Sequence, residues 1–395
     1  MPSLPHNATV SSLWTRAFIL TTLSNLFLFT SFQMLIPTLP IYVERNGGDE
    51  LAVGLVIGIF TVSALLTRPF AGKALDNLGR RKVMVIGLII FILSMSGYYW
   101  VTTIFLILSL RVIHGVGWGI TTTTFGTVIS DIIPPERRGE GMGYYGLSST
   151  LAMALAPLFG IWLMEKAGFG WLFFLSTMLA VFSLLISQTI RYPDIPAPAS
   201  VEENKQRGKL DDLLEKKALF PSFLVMLLGL TYGGIVTFIT LFGQEAGIAN
   251  VGWFFLANAL MVMLVRPIAG KLFDRRGHVW ILLPGAFFTM VGLLLLSYSS
   301  SVPSLIFASL FYGIGFGAIQ PTLQAWTINR VAVNRRGAAN GTFFSGFDLG
   351  IGAGAMVLGF VAKLASYATM YRVSILFIVL YLLTYVLYLL KQKEQ

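Results

Sequence analysis

The stretch LLTRPFAGKALDNLGRRKV at residues 65 to 83 returns as MLVRPIAGKLFDRRGHVWI at 263 to 281. Arg68, Pro69, Gly72, Lys73, Asp76 and Gly79 fall on Arg266, Pro267, Gly270, Lys271, Asp274 and Gly277, each pair 198 residues apart. The same offset carries Gly115, Gly117 and Gly119 onto Gly313, Gly315 and Gly317. It also carries Arg137, Arg138 and Gly139 onto Arg335, Arg336 and Gly337. A constant register over so long a stretch is not a chance match. The chain is two copies of one unit.

Composition says what kind of unit this is. Of 395 residues, 55% are hydrophobic and 12% charged, about half the charged fraction of a soluble globular chain. Mean hydropathy is +0.76. With no cysteine and histidines only at 6, 114 and 278, there is no material for a disulfide framework, a thiolate zinc site or a histidine metal cluster. No cofactor motif appears either. GVGWG at 115 to 119 lies within an apolar run with no strand before it, which rejects a dinucleotide loop.

A bilayer core takes about 20 apolar residues per helix. Cutting the chain at charged and Gly/Pro-rich breaks predicts spans near 16–43, 51–70, 83–102, 104–133, 141–165 and 169–190. A second six follow near 218–244, 249–269, 279–299, 303–330, 339–362 and 370–390. Residues 1–190 and 218–395 are then two six-helix bundles. The stretch 191–217, which mixes prolines with charges, is the linker, with a short amphipathic helix or a solvated coil at 209–217. The first span is expected to be a retained crossing and not a signal peptide.

Twelve spans put both termini on one side. That side collects Arg16, Lys73, Arg80, Arg81, Lys82, Arg137, Arg138, Lys271, Arg275, Arg276, Arg335 and Arg336, whereas the other holds Arg45, Lys166, Lys363 and Arg372. The excess marks the cytoplasmic side, so the net charge of +10 points to membrane topology and not to a nucleic-acid partner. Because six is even, the halves are parallel repeats about an axis along the membrane normal. Many secondary transporters are built this way, with the site at mid-depth between the halves.

These residues resemble the major facilitator superfamily, and within it the bacterial twelve-span drug:proton antiporters. Gly72-Lys73-Ala74-Leu75-Asp76-Asn77-Leu78-Gly79-Arg80-Arg81-Lys82 is similar to that superfamily's loop signature between spans 2 and 3. Leu108 to Gly117 is similar to its span 4 motif, with His114 where glutamine is more usual. Gly146 to Gly160, ending Ala156-Pro157-Leu158-Phe159-Gly160, resembles its span 5 antiporter motif. The resemblance implies an all-α membrane fold of twelve helices in two parallel bundles. It further implies that Arg80 pairs with Asp131 at the inner end of span 4.

Ionisable groups inside a span are functional candidates. Asp348 lies near mid-bilayer in span 11, and a carboxylate buried there without a permanent counter-charge takes up a proton more readily than one in water. His114 titrates near neutrality before any perturbation, and Arg111 precedes it on the same helix face. Asp348, His114, Arg111 and Asp131 are therefore the proton-coupling candidates. Their alternative roles are helix-to-helix bonding, core packing and a backbone anchor. Many relatives carry an acid in span 1, where this chain has Asn25 and Gln33, and Gln33 is placed to bond Arg111.

Asp76 should meet the start of span 11 near Asn340 and Gly341, and Asp274 the start of span 5 near Gly141, because helix N-termini favour anions. Gly72, Asp76, Gly79, Arg80, Asp131, Asp274 and Gly277 make up the expected latch. The cavity is expected to be lined by Asn25, Phe29, Gln33, Arg111, Trp118, Tyr144 and Tyr145 from the first half. From the second come Tyr232, Asn258, Tyr312, Gln320, Trp326, Phe344 and Asp348. One acid among aromatics suits lipophilic cations or mixed polar and apolar solutes.

The expected function is alternating-access transport, namely proton-coupled efflux of an amphipathic organic compound or drug. Proton-coupled transport of a sugar or metallophore, or a non-transporting receptor or scaffold, are the alternatives. The chain is expected to act as a monomer in the bacterial inner membrane, with no cofactor, metal or nucleic-acid partner and no enzyme chemistry.

Overall fold

The structure, a computed structural model, describes residues 12–192, 213–248 and 250–393. Helices α1 (Arg16–Gln33) and α2 (Leu35–Arg45) make the first crossing together. Three more follow as α3 (Glu50–Leu78), α4 (Arg80–Gly97) and α5 (Ile104–Ile132). Helix α6 (Arg138–Gln188) is a run of 51 residues broken at Gly168, whose φ of +84° is left-handed; it makes two crossings. The second half is α7 (Lys216–Glu245), α8 (Gly252–Arg276), α9 (Val279–Ser297), α10 (Val302–Asn329), α11 (Arg336–Leu364) and α12 (Tyr367–Lys393).

Ten segments among the described residues are long and apolar enough to cross a bilayer, and one of these, Pro135–Gln188, contains the break at Gly168. Helix α4 begins Arg80-Arg81-Lys82, which dilutes its apolar character, yet its 18 residues span about 27 Å. The twelve expected crossings are thus all present as helix. Within the linker, residues 193–212 lie outside the described residues, including the first four residues of the expected 209–217 helix. Helix α7 starts at Lys216, two residues inside the stretch read as linker.

The two copies fold alike because their apolar patterns are alike. Leu66 and Phe70 are 63% exposed, and their repeat mates Leu264 and Ile268 are 65% and 66% exposed. So large an apolar surface faces lipid. Two residues away, about half a turn around the same helices, Arg68 and Arg266 are buried. Gly79 (φ +87°) ends α3 and Gly277 (φ +79°) ends α8; a residue without Cβ takes this conformation without strain, so the repeated motif stops both helices at the same point. In the first half α3 and α4 pack on α5, and α1 on α6. In the second, α8 and α9 pack on α10, and α11 on α7. The halves meet along α3 against α11 and α6 against α8.

Candidate functional site

At the basic face the motif acids bridge the halves. Asp76 accepts hydrogen bonds from the N–H groups of Gly337 and Ala338, both at 2.9 Å. Asp274 accepts from those of Gly139 at 2.7 Å and Glu140 at 2.8 Å. Both contacts fall earlier than the expected positions near Asn340, Gly341 and Gly141. The helices α11 and α6 begin at Arg336 and Arg138, three residues before the expected starts, after the short turns Val333–Arg335 and Pro135–Arg137. The first free N–H groups therefore lie there, and those are what a carboxylate seeks.

Arg80 is buried at the centre of this face. Its Nε donates to Asp131 at 3.0 Å, and its Nη1 to Asp76 at 3.2 Å and to the Leu75 carbonyl at 2.7 Å. Arg336 donates from the other half to the second Asp131 oxygen at 2.9 Å. Its repeat mate Arg138 donates at 2.5 Å to Asn329, the mate of Asp131. The arrangement is a twofold pattern with one acid replaced by an amide.

His278 breaks the symmetry further. It occupies the position equivalent to Arg80, but its ring turns into its own half, 4.3 Å from the Trp326 ring, with Nδ1 2.5 Å from the Tyr385 hydroxyl. Burial first, and the Arg330 charge second, push this imidazole from 6.5 down to about 4. The folded protein thus holds His278 neutral where the unfolded chain protonates it. Stability is expected to be fully present above about pH 6.5 and to fall as pH drops toward 4. Thermal melting of wild type against His278→Gln checks this; equal slopes over that window would rule it out.

Close packing ends above this face. A Cβ on Gly72 would stand 2.7 Å from the Gly337 carbonyl, and one on Gly341 2.7 Å from the Arg68 carbonyl, so α3 and α11 touch backbone to backbone. Further along the same two helices, Gly54, Gly58 and Gly352 have nothing within 4 Å of such an atom. The helices splay apart away from the basic face. Between them opens a cavity of about 320 Å³.

Ten of the expected lining residues are in its wall: Asn25, Phe29, Gln33, Arg111, Trp118, Tyr145, Tyr232, Gln320, Phe344 and Asp348. Four are not. Tyr144 packs on Trp14, Trp326 on His278 and Tyr388, and Tyr312 is buried against Thr231. Asn258 lies on α8 beside Gly313. Each sits on the side of its helix turned toward its own half, an orientation that mid-span position alone does not reveal. His114 is also outside the wall; it is wholly buried, ringed by Phe32, Phe60 and Phe91, with Tyr98 Oη 3.2 Å from Nδ1.

Two intramembrane charges went unread in the sequence, and they change the site. Arg68 and Arg266 both line the cavity. Arg68 Nε donates to Asp348 at 2.7 Å, its Nη1 to Thr122 at 2.8 Å, and its guanidinium lies 5.1 Å over the Phe344 ring. The expectation that Asp348 has no permanent counter-charge is corrected by this pair, which crosses from α3 to α11. The expected bond from Gln33 to Arg111 is absent too. Arg111 Nε donates to the Val56 carbonyl at 2.8 Å, and its guanidinium sits 4.4 Å over Phe60. The signal for Arg68 and Arg266 was in the repeat itself: both stand eight residues before the motif acid, about 12 Å deeper along a helix.

The family model described as Major Facilitator Superfamily matches residues 21–249 and again 222–395. The chain belongs to the major facilitator superfamily. As a member of that superfamily it is 26% identical to an MFS-type transporter of Methanocaldococcus jannaschii, over 86% of this chain and 90% of that protein. It is 24% identical to a staphylopine export protein of Staphylococcus aureus, over 91% of each. A quinolone resistance protein of the same species is 23% identical over 85% of this chain and 87% of its own length. Among solved structures, a human organic anion transporter superposes with a TM-score of 0.82 at 19% identity, covering 93% of this chain and 98% of that one. This major facilitator protein is therefore a multi-pass membrane transporter of a small molecule.

Proposed function

We propose that the chain exports an amphipathic organic compound by alternating access, with Asp348 as the proton-coupling group. The reading rests on one observation above others: the cavity lies between two repeated halves that touch at one end and splay at the other. The basic face is cytoplasmic by its Lys/Arg excess, so the form described faces outward with its cytoplasmic latch closed. In that form Asp348 and Arg68 tie α3 to α11. Protonating Asp348 removes the charge that holds the tie and frees the halves to rock.

The similarity to a protein named as a staphylopine exporter supports the outward direction. Proton-coupled transport of a metallophore is the second reading, favoured by the staphylopine export protein and by the amides Asn25, Gln33, Gln320 and Gln324 in the wall. The test is a thermal-shift screen of purified protein with anionic, neutral and cationic aromatics, sugars and metal chelators, since a ligand of the folded state raises its apparent stability. Compounds that stabilise are then followed for flux in proteoliposomes. Stabilisation without flux for every such compound would favour a receptor.

A further inference from the structure

The cavity wall holds three guanidinium groups, Arg68, Arg111 and Arg266, against the single carboxylate of Asp348. Arg68 and Asp348 compensate each other at 2.7 Å. Arg111 and Arg266 have no carboxylate partner among the described residues. Arg111 is 1% exposed and Arg266 5%, so neither charge is dissolved in bulk water. A buried charge met only by dipoles leaves a strong preference for an anion beside it.

Arg266 is the more telling of the two. By the repeat it is the mate of Arg68, yet the residue equivalent to Asp348 is Thr150, whose hydroxyl donates to the Gly146 carbonyl at 3.0 Å. That same carbonyl accepts from Arg266 Nη1, and Gln320 Oε1 accepts from Nη2 at 3.0 Å. The Nε–H of Arg266 is buried with no partner at all. One copy of the repeat thus supplies an acid for its arginine, and the other supplies only neutral acceptors. Around them the wall is aromatic, with Phe29, Phe32 and Trp118 on one side and Phe344 and Phe347 on the other.

We propose that the cavity takes an organic anion, a carboxylate or similar acidic head on an aromatic body, with the head held by Arg266 and the body against the aromatic wall. The proposal deepens the transport reading and rests on it. An inside-negative membrane potential itself drives such a substrate outward. Because Asp348 is held by Arg68, anion and proton do not share a site. Their coupling then runs through the cross-half tie and not through competition for one group.

The test uses the full chain in nanodiscs and three probes with one ring system: 2-naphthoate, 2-naphthamide and 2-naphthylmethylammonium, titrated by calorimetry. Naphthoate is expected to bind roughly tenfold to hundredfold more tightly than either other probe, the worth of one charge-assisted hydrogen bond. Arg266→Gln should remove most of that preference while leaving naphthamide affinity nearly unchanged. Thr150→Asp, which supplies the acid that this copy of the repeat lacks, should remove the same preference and provides the comparison should the first variant fail to fold. Equal affinities for the three probes, a preference for the ammonium, or a preference that survives in both variants would overturn the anion site. Proteoliposome flux separates this from the parent reading. Flux of all three probes without naphthoate preference leaves a transporter and removes the anion site, whereas Arg266-dependent naphthoate binding without flux keeps the site and removes the transporter.

Discussion

In proteoliposomes with an imposed pH gradient, Asp348→Asn is expected to lose gradient-driven accumulation of substrate while retaining exchange of labelled for unlabelled substrate. Asparagine keeps the size and one acceptor oxygen but cannot release a proton. The tie from Arg68 to residue 348 therefore no longer responds to pH. The change also leaves Arg68 buried without its anion, with Thr122, Thr123 and the Phe344 ring as remaining partners. Breaking one side of a buried pair costs about 3 kcal/mol, so the variant should melt lower than wild type. Adding Arg68→Gln removes the orphaned charge, and the double variant should regain most of the lost stability without regaining coupling. That separation of readouts distinguishes a coupling group from a structural one. Accumulation with the wild-type pH dependence in both variants would assign Asp348 to structure alone and leave Asp131 and His114 to be tested. His114 starts from a weaker position, since it is sealed in the first half away from the cavity.

Asp76→Asn is expected to shift the protein away from the outward-facing form and to lower transport, with Asp274→Asn milder. Asp76 accepts from two backbone N–H groups and from Arg80 at once, and an amide oxygen cannot replace both carboxylate oxygens. Losing one charge-assisted bond costs about 2 kcal/mol, roughly 30-fold in the balance of states. Asp274 accepts its two N–H bonds without an arginine bonded to it among the described residues, because His278 has replaced the counterpart of Arg80 and turned inward. The chain has no cysteine of its own, so a single cysteine at Ile57, which is in the cavity wall and 49% exposed, reports outward opening by its alkylation rate. An unchanged rate in Asp76→Asn would remove the latch from the mechanism.

Much of this was legible in the chain itself, for physical reasons that can be named. A hydrocarbon core forces every crossing to be a helix, so apolar length alone located twelve of them. The constant offset of 198 residues paired the halves, and the need of helix N-termini for an anion pointed Asp76 and Asp274 at α11 and α6. The ten expected residues that lie in the cavity wall are those whose polar or aromatic character near mid-span coincides with a position facing the other half.

Tertiary structure alone decided facing and partnership. Tyr144, Asn258, Tyr312 and Trp326 have the same composition signal as the residues that line the cavity, but a helix shows different sides to lipid, to its own bundle and to its pseudo-symmetric partner. Hydropathy does not separate the last two, because both are protein-facing. Likewise Asp348 reads as a lone acid in sequence, since its partner Arg68 is 280 residues away in a motif whose other charges lie at the membrane surface. Only when α3 and α11 are packed together does the charge count of the cavity emerge, with one pair compensated and two arginines left over. Electrostatic character at the site is a sum over neighbours, and neighbours are what the fold, not the linear order, supplies.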